Sequence, residues 1–210
     1  MFHSSISRHP VVPASQKPAP SLKRARILTG KDLKRTYLRL AHQFLEPFDD
    51  PQSLALIGMQ TRGVYIGQRI SSIIEEQFGW KPDFGMLDAT FYRDDFRTKG
   101  SMPEVKVSEI PFDIEGRDII LIDDVFYTGR TVRSAMDALM GYGRPRSIRF
   151  CCVVDRGHRE LPVMADYVGK VIPTHEREEV RVLVEELDGE DAVYVVSEPP
   201  NASHQPDKSK

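Results

Sequence analysis

A chain of 210 residues with 29 Lys plus Arg against 31 Asp plus Glu has a net charge of −2, which gives no overall attraction to nucleic acid and leaves any such surface to a local patch. The length suits one α/β core that folds without disulfides or metals. No apolar run approaches the ~18 residues of a membrane span, so a soluble, cytoplasmic protein with no membrane partner is expected.

In chain order, the first 24 residues hold Pro10, Pro13, Pro18 and Pro20 and no acidic residue. Such a segment is a poor core former, so 1–26 reads as a disordered extension and not as an organelle address. The spacing of Leu33, Tyr37, Leu40, Ala41, Phe44 and Leu45 predicts an amphipathic helix over about 31–48. Arg35, Arg39 and His42 share another face of it at i, i+4, i+7, a basic stripe that by itself is ordinary solvated surface. Residues 54–59 predict a central strand, Thr61-Arg62-Gly63 a turn, and Ile66, Ile70, Ile73 and Ile74 the buried side of a helix, together half of a βαβ unit. Residues 84–92 and 105–110 predict two strands flanking the polar segment 93–104. With no helix-length pattern between them, they suggest a protruding antiparallel ribbon.

The most informative run is 118–131. Residues 119–122 are apolar without alternation, as in a parallel strand covered on both faces. Asp123 and Asp124 follow at its carboxyl end, acceptor-only groups that suit vicinal sugar hydroxyls. Next comes the turn Val125-Phe126-Tyr127-Thr128-Gly129-Arg130-Thr131, opening a helix whose stripe is Val132, Ala135, Met136, Leu139 and Met140. Backbone N–H groups and the hydroxyls of Thr128 and Thr131 at the positive end of that helix suit a phosphate monoester. Phosphate on one side and a diol on the other describe a ribose 5-phosphate. Plain strand termination and helix capping need only one acidic residue and leave the pair unexplained.

Beyond it, 148–154 predicts another strand, in which Cys151 and Cys152 point to opposite faces as small buried hydrophobes of a reducing compartment. Alternation then weakens, and the remainder to Val196 suggests a small cap of short strands over the sheet edge. The expected organisation is one domain over 27–196 of α/β class, a mostly parallel sheet flanked by helices, with a second disordered tail over 197–210.

The stretch 119–131 resembles the 5-phosphoribosyl 1-diphosphate (PRPP) motif of type I phosphoribosyltransferases. Thr61-Arg62-Gly63, Thr90-Phe91-Tyr92-Arg93-Asp94-Asp95, Asp155-Arg156-Gly157-His158-Arg159-Glu160-Leu161-Pro162 and Ala165-Asp166-Tyr167-Val168-Gly169-Lys170 are similar to one subfamily, the bifunctional pyrimidine-operon attenuation regulators with uracil phosphoribosyltransferase activity. Several motifs in the right order make the resemblance specific.

The resemblance implies a type I phosphoribosyltransferase fold with a flexible-loop ribbon and a hood, and formation of UMP and diphosphate from uracil and PRPP. It implies PRPP contacts at Thr61, Arg62, Gly63, Asp123, Asp124, Val125, Tyr127, Thr128, Gly129, Arg130 and Thr131, with Arg62, Arg93, Asp123 and Asp124 as the catalytic set. Tyr92, Arg93, Asp94 and Asp95 match the flexible loop, a lid that excludes water on closure. No residue is assigned as a metal ligand; Mg²⁺ is expected as a bridge between PRPP oxygens and water. Tyr127 stands where purine-transferring relatives usually carry an aspartate, which favours uracil, read by residues 168–173 or by a strand beginning near Val180.

The resemblance also associates Arg39, His42, His158, Arg159 and Lys170, beside Arg35 of the same stripe, with contact to pyrimidine-operon leader mRNA. Leu38 and Met164 depart from the pattern, standing where a threonine and an arginine are common, and each loses a polar contact. Three readings follow: an enzyme that also regulates by UMP-responsive attenuation, an enzyme only, and a UMP-sensing RNA-binding regulator with little or no turnover. A homodimer or homotetramer is implied.

Overall fold

In the computed structural model, residues 23–47, 51–89 and 107–197 are described. The expected tails before Lys23 and after Ser197, and the lid residues Tyr92, Arg93, Asp94 and Asp95, lie outside them. Five parallel strands form the main sheet in the order β3-β2-β4-β5-β6: β2 Leu54–Met59, β3 Asp83–Leu87, β4 Asp118–Phe126, β5 Ser147–Asp155 and β6 Tyr167–Val171. Three antiparallel strands form a cap in the order β1-β8-β7: β1 Lys23–Thr29, β7 Glu178–Leu183 and β8 Ala192–Ser197.

The central strands lack alternation because both faces are covered. Leu54, Leu56, Ile120, Ile122, Cys151 and Val153 pack into one core, with helix α1 (Gly30–Leu45), helix α2 (Arg62–Phe78) and the apolar side of the cap. Ala55, Ile57, Ile119, Leu121, Phe150 and Cys152 face the other core, against helix α3 (Arg130–Leu139). The adjacent cysteines therefore serve opposite layers, and burial pushes both thiols well above the usual range.

Helix α1 starts on a capping box. The Thr29 hydroxyl accepts from the Asp32 amide at 3.3 Å, and the Asp32 carboxylate accepts from the Thr29 amide at 3.0 Å. It ends at Leu45, short of the predicted boundary, and Phe48 lies outside the described residues.

Four expectations are corrected. First, β1 begins at Lys23, inside the segment read as extension. Arg24, Ala25, Arg26 and Ile27 are all exposed, so only Leu28 enters the core and the first part of the strand is held by pairing with β8. Second, β6, read as part of the cap, is the edge strand of the main sheet. Third, Met140 is not in the α3 stripe; it is the C-cap, 57 % exposed. Fourth, 84–92 is not one ribbon strand: β3 pairs parallel to β2, and among the described residues the antiparallel pairing reduces to one bridge, Met86 with Glu109.

The amino end of β4 carries a polar anchor. Asp118, buried, accepts from Ser53 Oγ at 3.0 Å, Ser147 Oγ at 2.6 Å and the Arg146 guanidinium. The Arg146 bonds chiefly, aided by the two serines and opposed by burial, hold its carboxyl at about 2. A folded-state value below the unfolded ~3.9 means stability present above pH ~4 and lost as pH falls toward 2. Because the Arg146 side chain is 58 % exposed, we expect Asp118→Asn to cost only about 1–2 kcal/mol at neutral pH. Urea midpoints of the variant should also fall less than wild type between pH 5 and pH 2.

Candidate active site

Strand order sets the position of the site. From β2 the sheet grows one way to β3 and the other way through β4 to β5 and β6, so the direction of winding reverses between β2 and β4. In open parallel sheets, ligands bind beyond the carboxyl ends of the strands at such a reversal. Two loops meet there, the turn from β2 into α2 and the turn from β4 into α3.

Close packing draws the first turn onto β4. A Cβ on Gly63 would run into the carbonyl oxygen of Ile122, and one on Gly58 would meet the Val64 Cα at 2.5 Å. Only glycine lets the start of α2 sit this near the strand that carries the acidic pair. Asp123 and Asp124 are half-buried at that strand's end. Each carboxylate is oriented by the next amide, Asp124 N–H to Asp123 Oδ1 at 2.9 Å and Val125 N–H to Asp124 Oδ1 at 2.8 Å.

The second turn is preorganised. Gly129 sits at φ 92°, where a side chain would be strained. The first helical bond of α3 runs from the Arg133 amide to the Gly129 carbonyl at 3.1 Å, so the amides of Thr131 and Val132 lie ahead of it at the positive helix end. The following loop buttresses the turn from below. Amides of Glu160 and Leu161 donate to the Thr128 carbonyl at 3.0 and 3.2 Å, the Arg156 amide donates to Phe126 at 3.1 Å, and Arg130 pairs with Glu160 at 2.6 Å.

Arg156 and Arg159 complete this brace. The Arg159 guanidinium stacks 3.2 Å from the Phe126 ring centroid, donates to the Tyr127 carbonyl at 2.6 Å and pairs with Asp155 at 2.5 Å. Arg156, 7 % exposed, lies 4.1 Å from the Tyr127 ring centroid and donates to Thr174 Oγ1 at 3.2 Å and to the Glu178 carbonyl at 2.5 Å. Tyr127 is thus clasped between that cation and the edge of His158, with 5.9 Å between ring centroids.

Arg62, first residue of α2, crosses the crevice to the cap. Its Nε and Nη2 donate to Asp188 at 3.1 and 2.8 Å. Asp188 ends the short helix α4 (Glu185–Asp188). The hydrogen bonds from Arg62 chiefly, helped by the Val184 amide and opposed by burial, hold the Asp188 carboxyl below the usual carboxylate range. Arg62, Asp124, Val125, Val180 and Asp188 border a cavity of about 410 Å³. A second cavity of about 490 Å³ is bordered by Tyr127, Arg156, Glu178 and Arg181. Residues 168–173, a candidate for base reading, border neither, whereas Val180 borders the first.

The expected RNA residues fall in two places. Arg35, Arg39 and His42 are exposed on α1, and exposed Lys170 stands on β6 beside that helix. Arg39 donates to the carbonyls of Val168 and Gly169 at 3.2 and 2.6 Å, and His42 meets the Phe78 ring edge-on at 5.1 Å. His158, at φ 61°, and Arg159 lie beside the β4–α3 turn instead, where Arg159 is committed to bracing it. Leu38 and Met164 are 41 % and 85 % exposed. Asp188, Arg156 and Asp155 were not singled out from sequence as site residues; the partners of Asp188 and Arg156 include residues far along the chain, Arg62 and Glu178, whereas Asp155 meets Arg159 only four positions on.

A phosphoribosyl transferase domain model matches residues 24–186. The bifunctional protein PyrR of Thermus aquaticus is 48 % identical over 170 residues, covering 81 % of this chain and 94 % of that protein. That of Elusimicrobium minutum is 49 % identical over 170 residues, covering 81 % and 95 %. The chain belongs to the PyrR-type phosphoribosyltransferases. Solved structures agree on the fold alone. A hypoxanthine phosphoribosyltransferase of Staphylococcus aureus aligns at TM-score 0.63 with 20 % identity, over 86 % of this chain and 94 % of that one. The hypoxanthine phosphoribosyltransferase of Trypanosoma cruzi aligns at 0.60 with 17 % identity, over 83 % and 96 %. Within this PyrR-type frame, Arg62 of the α2 turn and Asp124 of the acidic pair border one cavity with the cap residues Val180 and Asp188, and the α3 turn follows from the same strand.

Proposed function

We propose that the protein is a uracil phosphoribosyltransferase that forms UMP and diphosphate from uracil and PRPP, and that it also regulates pyrimidine-operon transcription by binding leader mRNA in response to UMP. The observation that carries the reading is that Arg62 and Asp124 border a single cavity at the sheet's reversal point, with the Thr128–Thr131 turn opening α3 from the same strand. The 5-phosphate sits on the amides opening α3, the ribose hydroxyls on the two carboxylates, and the diphosphate by Arg62. As the glycosidic bond to diphosphate breaks, negative charge grows on the leaving group, and a preorganised guanidinium beside it lowers the barrier.

The partly exposed oxygens of Asp123 and Asp124 are hard donors suited to a site for Mg²⁺ carried in on substrate oxygens. When bound, the ion supplies charge neutralisation for the diphosphate. Tyr127, clasped by Arg156 and His158, offers no carboxylate for a purine ring nitrogen, which favours a pyrimidine.

Uracil plus PRPP with Mg²⁺ should give UMP, followed by absorbance or by radiolabelled uracil. A pyrimidine-operon leader transcript should bind more tightly with UMP present, and affinity should fall steeply with salt. Lys170→Ala should flatten the salt slope by about one while leaving UMP formation unchanged. RNA binding without UMP formation would move the assignment to a nucleotide-sensing regulator, and UMP formation without RNA binding to an enzyme only.

A further inference from the structure

We infer that Asp188 is a positioning residue that aims Arg62 at the leaving diphosphate. The inference rests on the reading of Arg62 given above and extends it to the cap. A guanidinium has two edges that can each grip an anion, the Nε/Nη2 side and the Nη1/Nη2 end. Asp188 takes the first, at 3.1 and 2.8 Å, and so leaves the second for a ligand. Arg62 borders the same cavity as Asp124 and Val125.

Asp188 is itself held. Its Oδ2 accepts the Val184 amide at 2.9 Å, and its own amide donates to the Val184 carbonyl at 2.8 Å. The helix it ends is tied down a second time by Arg69, which grips Glu186 at 3.0 and 2.7 Å and Asp191 at 2.8 Å. Arg62 and Arg69 lie seven residues apart, two turns along one side of α2, so one face of that helix clamps α4 at two points. The clamp fixes where the Asp188 carboxylate stands, and the carboxylate fixes the roll of the Arg62 plane. A long arginine side chain without such a partner gives up rotamer freedom on ligand binding at an entropic cost, and small misplacements at a reacting centre are expensive in rate.

Asp188→Asn keeps an oxygen for the Val184 amide and removes the charge facing Arg62. We expect the inhibition constant of inorganic diphosphate and the KM for PRPP to rise about tenfold, with the affinity for UMP, which lacks diphosphate, unchanged. In an Arg62→Ala background the same substitution should add nothing further to the diphosphate effect, since residues acting as a unit are non-additive. Loss of UMP and diphosphate affinity to the same degree, or full additivity with Arg62→Ala, overturns the inference in favour of a structural role. If Arg62→Ala weakens diphosphate and Asp188→Asn does not, the inference alone fails. If Arg62→Ala leaves diphosphate unaffected, the role assigned to Arg62 fails with it.

Discussion

Asp124→Ala should lower UMP formation from uracil and PRPP on the order of a hundredfold or more, with the fold intact. The carboxylate is half-buried near the open end of β4, and among the described residues its one hydrogen bond is the local one accepted from the Val125 amide at 2.8 Å. Removing it therefore changes little in the folded protein. It does remove the acceptor proposed for the ribose and a negative neighbour of Arg62, whose charge Asp124 helps to stabilise behind the larger contribution of Asp188. The ribose then loses its orientation between the α3 turn and the diphosphate, and orientation is worth several orders of magnitude at a reacting centre. Steady-state kinetics alongside a thermal melt make the check. A rate within a few-fold of wild type at an unchanged melting temperature would remove Asp124 from the catalytic set.

Gly63→Ala acts through geometry instead of charge. The added methyl meets the Ile122 carbonyl and comes within 3.2 Å of the Asp123 Cα, both backbone atoms of a buried central strand that cannot turn aside. Overpacking of this kind costs roughly 1–3 kcal/mol, occasionally more. Relief requires the start of α2 to lift away from β4, which carries Arg62 away from the acidic pair. Stability and PRPP affinity should fall together, whereas Asp124→Ala separates them. Chemical denaturation and KM for PRPP measured on the same preparation test this, and a Gly63→Ala protein with wild-type KM would contradict it.

Both changes fall on residues legible in the sequence, and the reason is local. The β4–α3 run announces itself because strand, acidic pair, glycine turn and helix stripe are contiguous, so each part constrains the next. The non-alternating strand correctly implied cover on two faces, and the adjacent cysteines do enter different cores. What stayed hidden depends on distant pairing. Strand β1 exposes Arg24, Ala25, Arg26 and Ile27 and buries only Leu28, so hydrogen bonds to β8 and not an apolar alternation define it. Strand β6 is five residues long and is identified only by its register with β5. Asp188 reaches Arg62 across 126 positions, and nothing in its neighbours distinguishes it from a solvated carboxylate on a short acidic helix. The basic stripe on α1 was visible by spacing, but the commitment of Arg39 to two backbone carbonyls of β6 was not.

The pairing of β1 with β8 bears on the order of events during synthesis. Lys23 stands opposite Ser197, and Thr29 opposite Ala192, so the first of the described strands to leave the ribosome has no neighbour until the last of them follows. The parallel sheet, made wholly of segments translated between them, is free to assemble first. A nascent chain arrested before Ala192 would then carry the acidic pair and the β4–α3 turn with the strand that joins β1 to β7 still missing from the cap.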